Sequence, residues 1–359
     1  MNVAIQFATP VDSEAREQSD EGRAETVPHS LISDLHTPRP AIFWADLITC
    51  ALAGWGSFAL AVRWQPLSGS MLAALTVSAL ALYRGLCFIH ELTHLRRRAL
   101  PGFEAAWNVL FGVPLLLPSF TYVGVHQSHH SLATYGTTDD PEYLPFAHSR
   151  RMLYAFTVQS SLVIPALLLL RFLLLAPIGL VSRRFHGWLE ACASSFAMNP
   201  AYRRVVPAAV ATSMRRWELA ILAGWVVALT LMLTGVLPVR TLAVWYAMLV
   251  GVCILNTARV LGAHEYESDG APRNRDGQLR DSIDTPGGPW TELWAPVGLR
   301  YHALHHYFPG IPYHNLGTAY RRIVAAPADP SAYLQSTSPS LRHSLSELHR
   351  KAITSRDGT

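Results

Sequence analysis

What most limits the fold of this chain is a series of five apolar runs, at roughly 42–62, 71–89, 153–181, 218–237 and 240–258. Each is near or above the ~18–20 residues that a helix needs to cross the hydrocarbon of a bilayer. In that medium backbone polar groups must be satisfied internally, so runs of this length predict membrane helices. Composition agrees. Half of the 359 residues are hydrophobic, only 15% are charged and the mean hydropathy is +0.19, which argues against a soluble enzyme.

The links RWQPLSGS and LPVR leave room only for tight turns, so the first two and last two runs predict two transmembrane hairpins. Arginine clusters at Arg96–Arg98, Arg150–Arg151, Arg183–Arg184, Arg203–Arg204 and Arg215–Arg216 place those segments in the cytoplasm, with Arg63 and Arg240 at the outer turns. Arg150 and Arg183 then share a side only if 153–181 crosses an even number of times, so Pro165 and Pro177 are expected to break it into an in-plane or re-entrant helix pair. The shorter run 105–120, with Pro114 and Pro118, suits an interfacial or re-entrant segment. The expected fold is an all-α integral membrane protein. Four transmembrane helices in two hairpins, with interfacial or re-entrant helices, carry a cytoplasmic helical cap. Residues 1–40, polar and partly acidic, predict a flexible N-terminal tail, 41–325 the membrane domain and 326–359 a cytoplasmic C-terminal tail. Both termini fall in the cytoplasm. Lys351 is the only lysine, a bias that hints at a GC-rich bacterial source and hence an inner membrane.

The four cysteines are scattered singly, with no C-x-x-C pair, which indicates neither a disulfide framework nor a zinc ribbon. Histidine is the unusual residue. Among 16, eight fall in three clusters: His90 and His94 in HELTH; His126, His129 and His130 in HQSHH; His302, His305 and His306 in HALHH. Spacings of three and four put each cluster on one helix face. His264, in LGAHEY, directly follows the last apolar run and joins them at the cytoplasmic membrane surface.

HELTH alone has the spelling of a zinc peptidase, with Glu91 as general base. A zinc site takes three or four protein ligands, so nine histidines exceed one site about twofold, whereas two metals with four or five ligands each would use them all. Imidazole suits iron, copper and zinc alike, so ligand type leaves the element open.

Taken together, HELTH, HQSHH and YHALHHYFP resemble the three histidine boxes of the membrane fatty acid desaturase and hydroxylase superfamily, over residues 40–325 and including GTTDDPEY after the second box. The resemblance implies two ferrous ions held by His90, His94, His126, His129, His130, His302, His305 and His306. His264 matches an additional ligand between the second and third boxes. Two departures stand out from the acyl-CoA branch: three residues separate the first two histidines instead of four, and Val260 replaces the asparagine four residues before the extra histidine. They point to an acyl chain on a lipid or carrier protein.

The implied reaction is dioxygen-dependent desaturation of that chain, dioxygen being the co-substrate. A di-iron hydroxylase or ketolase of a fatty acid or carotenoid is the alternative, followed by a zinc peptidase and a metal sensor or scaffold without redox activity. The substrate supplies two of the four electrons that reduce dioxygen to water, so an external donor, a ferredoxin or small haem protein, is expected, and nucleic acid is not. Carboxylates near the boxes, Glu91, Asp139, Asp140, Glu142 and Glu265, are candidates to accept the free N–H of a ligating histidine. Trp290, Trp294, Tyr301 and Tyr307 fit either a substrate tunnel or an interfacial aromatic belt. Asn256 and Arg259, on the last membrane helix, are expected to face the protein interior.

Overall fold

The computed structural model describes residues 27–96, 99–326 and 330–355, and within them the chain is all-helical apart from isolated β-bridges. The first 26 residues of the expected N-terminal tail, and Arg97 and Arg98, lie outside the described residues.

Two hairpins form as the short links require. Helices α1 (Pro40–Arg63) and α2 (Gly69–His94) make the first, with Ser68 capping α2 by accepting from the Met71 backbone N–H. Arg240 opens the last long helix and donates to the carbonyls of Arg63 and Trp64, so the tight turns of both hairpins lie at one end of the bundle. The C-terminus of α2, with His90 and His94, lies at the other.

Between α2 and the second histidine cluster, Phe103–Trp107 continues as a wide π-type turn to Gly112 before the chain doubles back. This is the segment expected to be re-entrant. Its irregular backbone is satisfied by protein: the indole N–H of Trp55 donates to the Leu110 carbonyl at 2.8 Å and that of Trp245 to Pro114 at 3.0 Å. Gly85 on α2 admits it, because a Cβ there would lie 2.0 Å from the Phe111 ring. The chain then forms the short helix α3 (His126–His130).

The run 153–181 differs from expectation. It is one unbroken helix, α4 (Arg150–Val181), and one of five that are long and apolar enough to cross a membrane. Pro165 and Pro177 do not break it, because each directly follows a π-type turn, Gln159–Val163 and Leu170–Leu175, where the wider ring accommodates the missing N–H. The return is made by the next helix, α5 (Arg183–Cys192), which packs back on α4. At about 15 Å, α5 is half the thickness of a ~30 Å hydrocarbon core. The chain is nonetheless back beside the histidine clusters by Phe196, whose N–H donates to the Thr121 carbonyl at 2.7 Å, and Arg204 donates to Phe120 and Val123. Arg150 and Arg204 thus share an end of the molecule, through the α4–α5 hairpin and not through a break within the run.

The second long hairpin, α6 (Ala208–Leu233) and α7 (Arg240–Leu261), completes the membrane bundle, with α7 packed on α2. The cap follows as α8 (His302–Tyr307), α9 (Tyr313–Val324) and α10 (Leu341–Thr354). Residues 27–39 lie against it, with Val27 and Ile32 fully buried. The stretch after 330, expected as a tail, also folds onto the body: Tyr333, Leu348 and Ala352 are buried. Leu345, Leu348 and Ala352 recur at helical spacing, giving α10 one apolar face to dock.

Candidate metal centre

Helical geometry distributes the histidines. At about 100° per residue, positions i and i+4 stay on one face while i+3 diverges from i+4 by a full step. In α3, His126 and His130 therefore point one way and His129 another; in α8, His302 and His306 pair and His305 diverges. The two HxxHH helices face each other reciprocally. His126 and His130 join His305, with His90 and His94 from the end of α2, and His129 joins His302 and His306, with His264 from the turn after α7. All nine histidines predicted as ligands fall in these two groups, five in one and four in the other, with one ring nitrogen of each within 4.8 Å of the others in its group.

The Nε2 atoms converge. In the five-residue cluster, His305 lies 3.1 Å from His94 and 3.3 Å from His130, and His130 lies 2.9 Å from His126. In the four-residue cluster, His264 lies 2.9 Å from His302 and 3.3 Å from His129, and His306 3.1 Å from His302. Such edges suit nitrogens arranged about a centre roughly 2 Å away, the usual metal–imidazole distance. Neutral imidazoles meeting nitrogen to nitrogen cannot all satisfy one another, and both ring nitrogens of buried His90 lack a hydrogen-bond partner. The donor set fits two metal ions. Burial pushes His264, His302, His305 and His306 far below the usual imidazole range, which keeps them neutral and able to ligate.

Carboxylates and phenols orient the rings from behind. Both Asp140 oxygens lie 3.0 Å from His129 Nδ1. Burial opposes protonation of His129, but the Asp140 carboxylate outweighs it and raises its basicity. Glu142 lies 2.9 Å from His126 Nδ1 and also accepts from Tyr122. Tyr135 OH meets His264 Nδ1 at 2.9 Å and donates to Asp281 at 2.8 Å; Tyr143 and Arg273 also donate to Asp281. Asp284 accepts from the Leu304 N–H and from Tyr333, tying α8 to the C-terminal segment. Burial raises Asp284 to about 7.

The other proposed partners are placed differently. Glu91 accepts from the Tyr313 N–H at 3.0 Å and is 3.9 Å from His90 Nδ1, so it tethers α9. Asp139 is exposed. Glu265 forms an ion pair with Lys351 on α10. Asp281, Asp284, Tyr122, Tyr135 and Tyr143 were not anticipated; the acidic pair in DSIDTP was the one available signal.

A partly open cavity of about 330 Å³ starts at His90, His129, His264 and His302 and runs between α2, α7 and α4. Its walls are chiefly apolar, with Tyr122, Asn256 and Arg259 among the polar exceptions. Trp290 is exposed and Tyr301 and Tyr307 are packed in the cap core, so the expected tunnel aromatics are instead Tyr83, Phe156 and Phe196.

Comparison with known proteins agrees with this geometry. The family model described as fatty acid desaturase matches residues 63–338. A ceramide hydroxylase of Caulobacter vibrioides (strain NA1000 / CB15N) is 40% identical over 331 residues, covering 90% of this chain and 92% of that protein. The chain belongs to the fatty acid desaturase family and is a membrane oxidoreductase that acts with dioxygen.

Proposed function

We propose that this enzyme is a di-iron hydroxylase of a long-chain lipid, with a ceramide-type N-acyl lipid as its substrate class. Similarity to the ceramide hydroxylase along nearly the whole of both chains carries this reading, and it reverses the order drawn from the sequence, which placed desaturation first. The apolar cavity leading to both clusters supports an aliphatic substrate.

The balance of the reaction is simple. A C–H bond breaks and a C–O bond forms, one dioxygen atom entering the product and the other leaving as water with two electrons and two protons from outside. When bound, two ferrous ions would supply dioxygen reduction and attack on an unactivated C–H bond, chemistry beyond any side chain. His90, His94, His126, His130 and His305 would hold one ion and His129, His264, His302 and His306 the other. Asp140, Glu142 and the Tyr135–Asp281 pair fix ring orientation by engaging the Nδ1 atoms. The apolar walls exclude water from the reacting carbon. A ferredoxin or small haem protein supplies the electrons from the cytoplasmic side, where the clusters lie, beneath four full crossings and the α4–α5 hairpin.

The test is turnover of a ceramide by membranes containing the protein and a competent donor under oxygen-18 gas. The expected product carries one labelled oxygen. An unlabelled product two hydrogens lighter would restore the desaturase reading.

A further inference from the structure

A cation lines the apolar cavity with no ion pair to a carboxylate among the described residues: Glu142 lines the same cavity but engages Tyr122 and His126 with its two oxygens. Arg259 lies near the C-terminal end of α7 and lines the cavity wall together with Asn256, one helical turn earlier. Its Nη2 donates to Asn256 Oδ1 at 3.0 Å, and its buried Nε has no hydrogen-bond partner. The two buried arginines of the membrane bundle and its edge have stronger partners: Arg171 pairs with Glu218 at 2.5 Å, although its Nη1 is unpartnered, and Arg204 donates to three carbonyls. Guanidinium N–H groups left without acceptors on an apolar wall are destabilising unless a ligand supplies the acceptors. Because Asn256 spends its oxygen on Arg259, what the pair offers inward is its amide N–H and the remaining guanidinium N–H groups, all donors. The complement is a set of acceptor oxygens.

Position sharpens this. Gly262 and Ala263 still bond back to Ala258, Arg259 and Val260, so the chain keeps turning to His264. The helix ends at Leu261 and the turn through Gly262 and Ala263 leads to His264, so about one and a half turns, on the order of 7.5 Å, separate Arg259 from His264. An extended alkyl chain built of ~1.5 Å bonds advances roughly 1.3 Å per carbon, so that distance spans about six carbons.

We propose that Arg259 and Asn256 form a donor anchor for the oxygens of the substrate's polar head, and so confine oxidation to a carbon close to that head. The head chemistry is an amide carbonyl with neighbouring hydroxyls, as on an N-acylated long-chain amino alcohol, which deepens the hydroxylase reading and rests on it. The anchor lies within about one and a half turns of the cytoplasmic end of α7, the depth at which a lipid presents its head group. Arg259 and Asn256 are specificity-determining residues here, since they touch the substrate without touching the reacting carbon.

The test uses the full-length protein in membranes, with a ceramide as probe and the product position read by fragmentation mass spectrometry. Wild type is expected to give a single product, oxidised within about six carbons of the amide or its neighbouring hydroxyls. Arg259→Leu should raise KM tenfold or more, change kcat much less and spread oxidation over several carbons, with metal content unchanged; Arg259→Lys should recover one position. A wild-type product oxidised in mid-chain overturns the anchor even if Arg259→Leu fails to fold, and so does an Arg259→Leu enzyme with unaltered KM and a single unaltered product. Product two hydrogens lighter, still placed close to the head, would defeat the hydroxylase reading while upholding the anchor.

Discussion

The two histidine clusters draw on the same boxes yet are supported unequally. The five-residue cluster takes two ligands from the end of a membrane helix, leaves His94 and His130 only partly buried, and is braced chiefly by Glu142 on His126. The four-residue cluster is wholly buried, and two of its rings are engaged from behind, by Asp140 and by the Tyr135–Asp281 pair. One cluster has one histidine more than a tetrahedral set would need; the other has no spare. Redundancy at the membrane end and rigid support in the cap are two ways of keeping a metal.

The largest expected effect breaks that contrast directly. His302→Ala removes a ligand from the cluster without a spare and should abolish turnover and release about one iron per chain, measured by elemental analysis. His94→Ala leaves four ligands in its cluster, so it should retain more iron than His302→Ala while also losing most activity. Equal iron loss in both would remove the distinction.

Next in size is the support. Asp281→Asn weakens the acceptor shared by Tyr135, Tyr143 and Arg273 and should lower metal affinity or activity by about 10–100-fold, the usual range for a partner that orients a ligand. Glu142→Gln should cost less, since it braces the cluster that has a fifth ligand. A larger loss in Glu142→Gln would reverse the ranking.

A smaller effect concerns pH. The folded Asp284 carboxyl is raised to about 7 from its ordinary 3.8, so the folded protein holds that proton after the unfolded chain has released it. Its contribution is therefore present at low pH and is lost as pH rises from about 4 to about 7. Asp284→Asn keeps an acceptor for the Leu304 N–H and should flatten this fall in thermal stability relative to wild type; parallel pH profiles would contradict it. Smallest of all, Asp139→Ala should change stability by no more than about 0.5 kcal/mol and leave metal content untouched, as expected of an exposed side chain away from the rings.

The two histidine groups were readable because they use one residue type at helical spacing, with nine histidines in four short stretches. Their partition was less so: i and i+4 go together while i+3 crosses over, which becomes visible only once two such helices face each other. Asp140 was within reach of inspection, sitting a few residues past its box. Asp281 was not, because Tyr135 and Tyr143 meet it from well over a hundred residues away, and no local pattern records that contact. In the membrane part, apolar length predicted the hairpins, whereas the proline rule misplaced the turn in 153–181, since π-type turns absorb prolines without a break. The apolar spacing of α10 was present in the sequence, but its polar remainder masked a docking face.

The most direct test of the two-cluster account is the metal content of protein purified without oxygen, wild type beside His302→Ala. The account predicts two irons per chain in wild type and about one in the variant. A single zinc per chain, unaffected by His302→Ala, would contradict it.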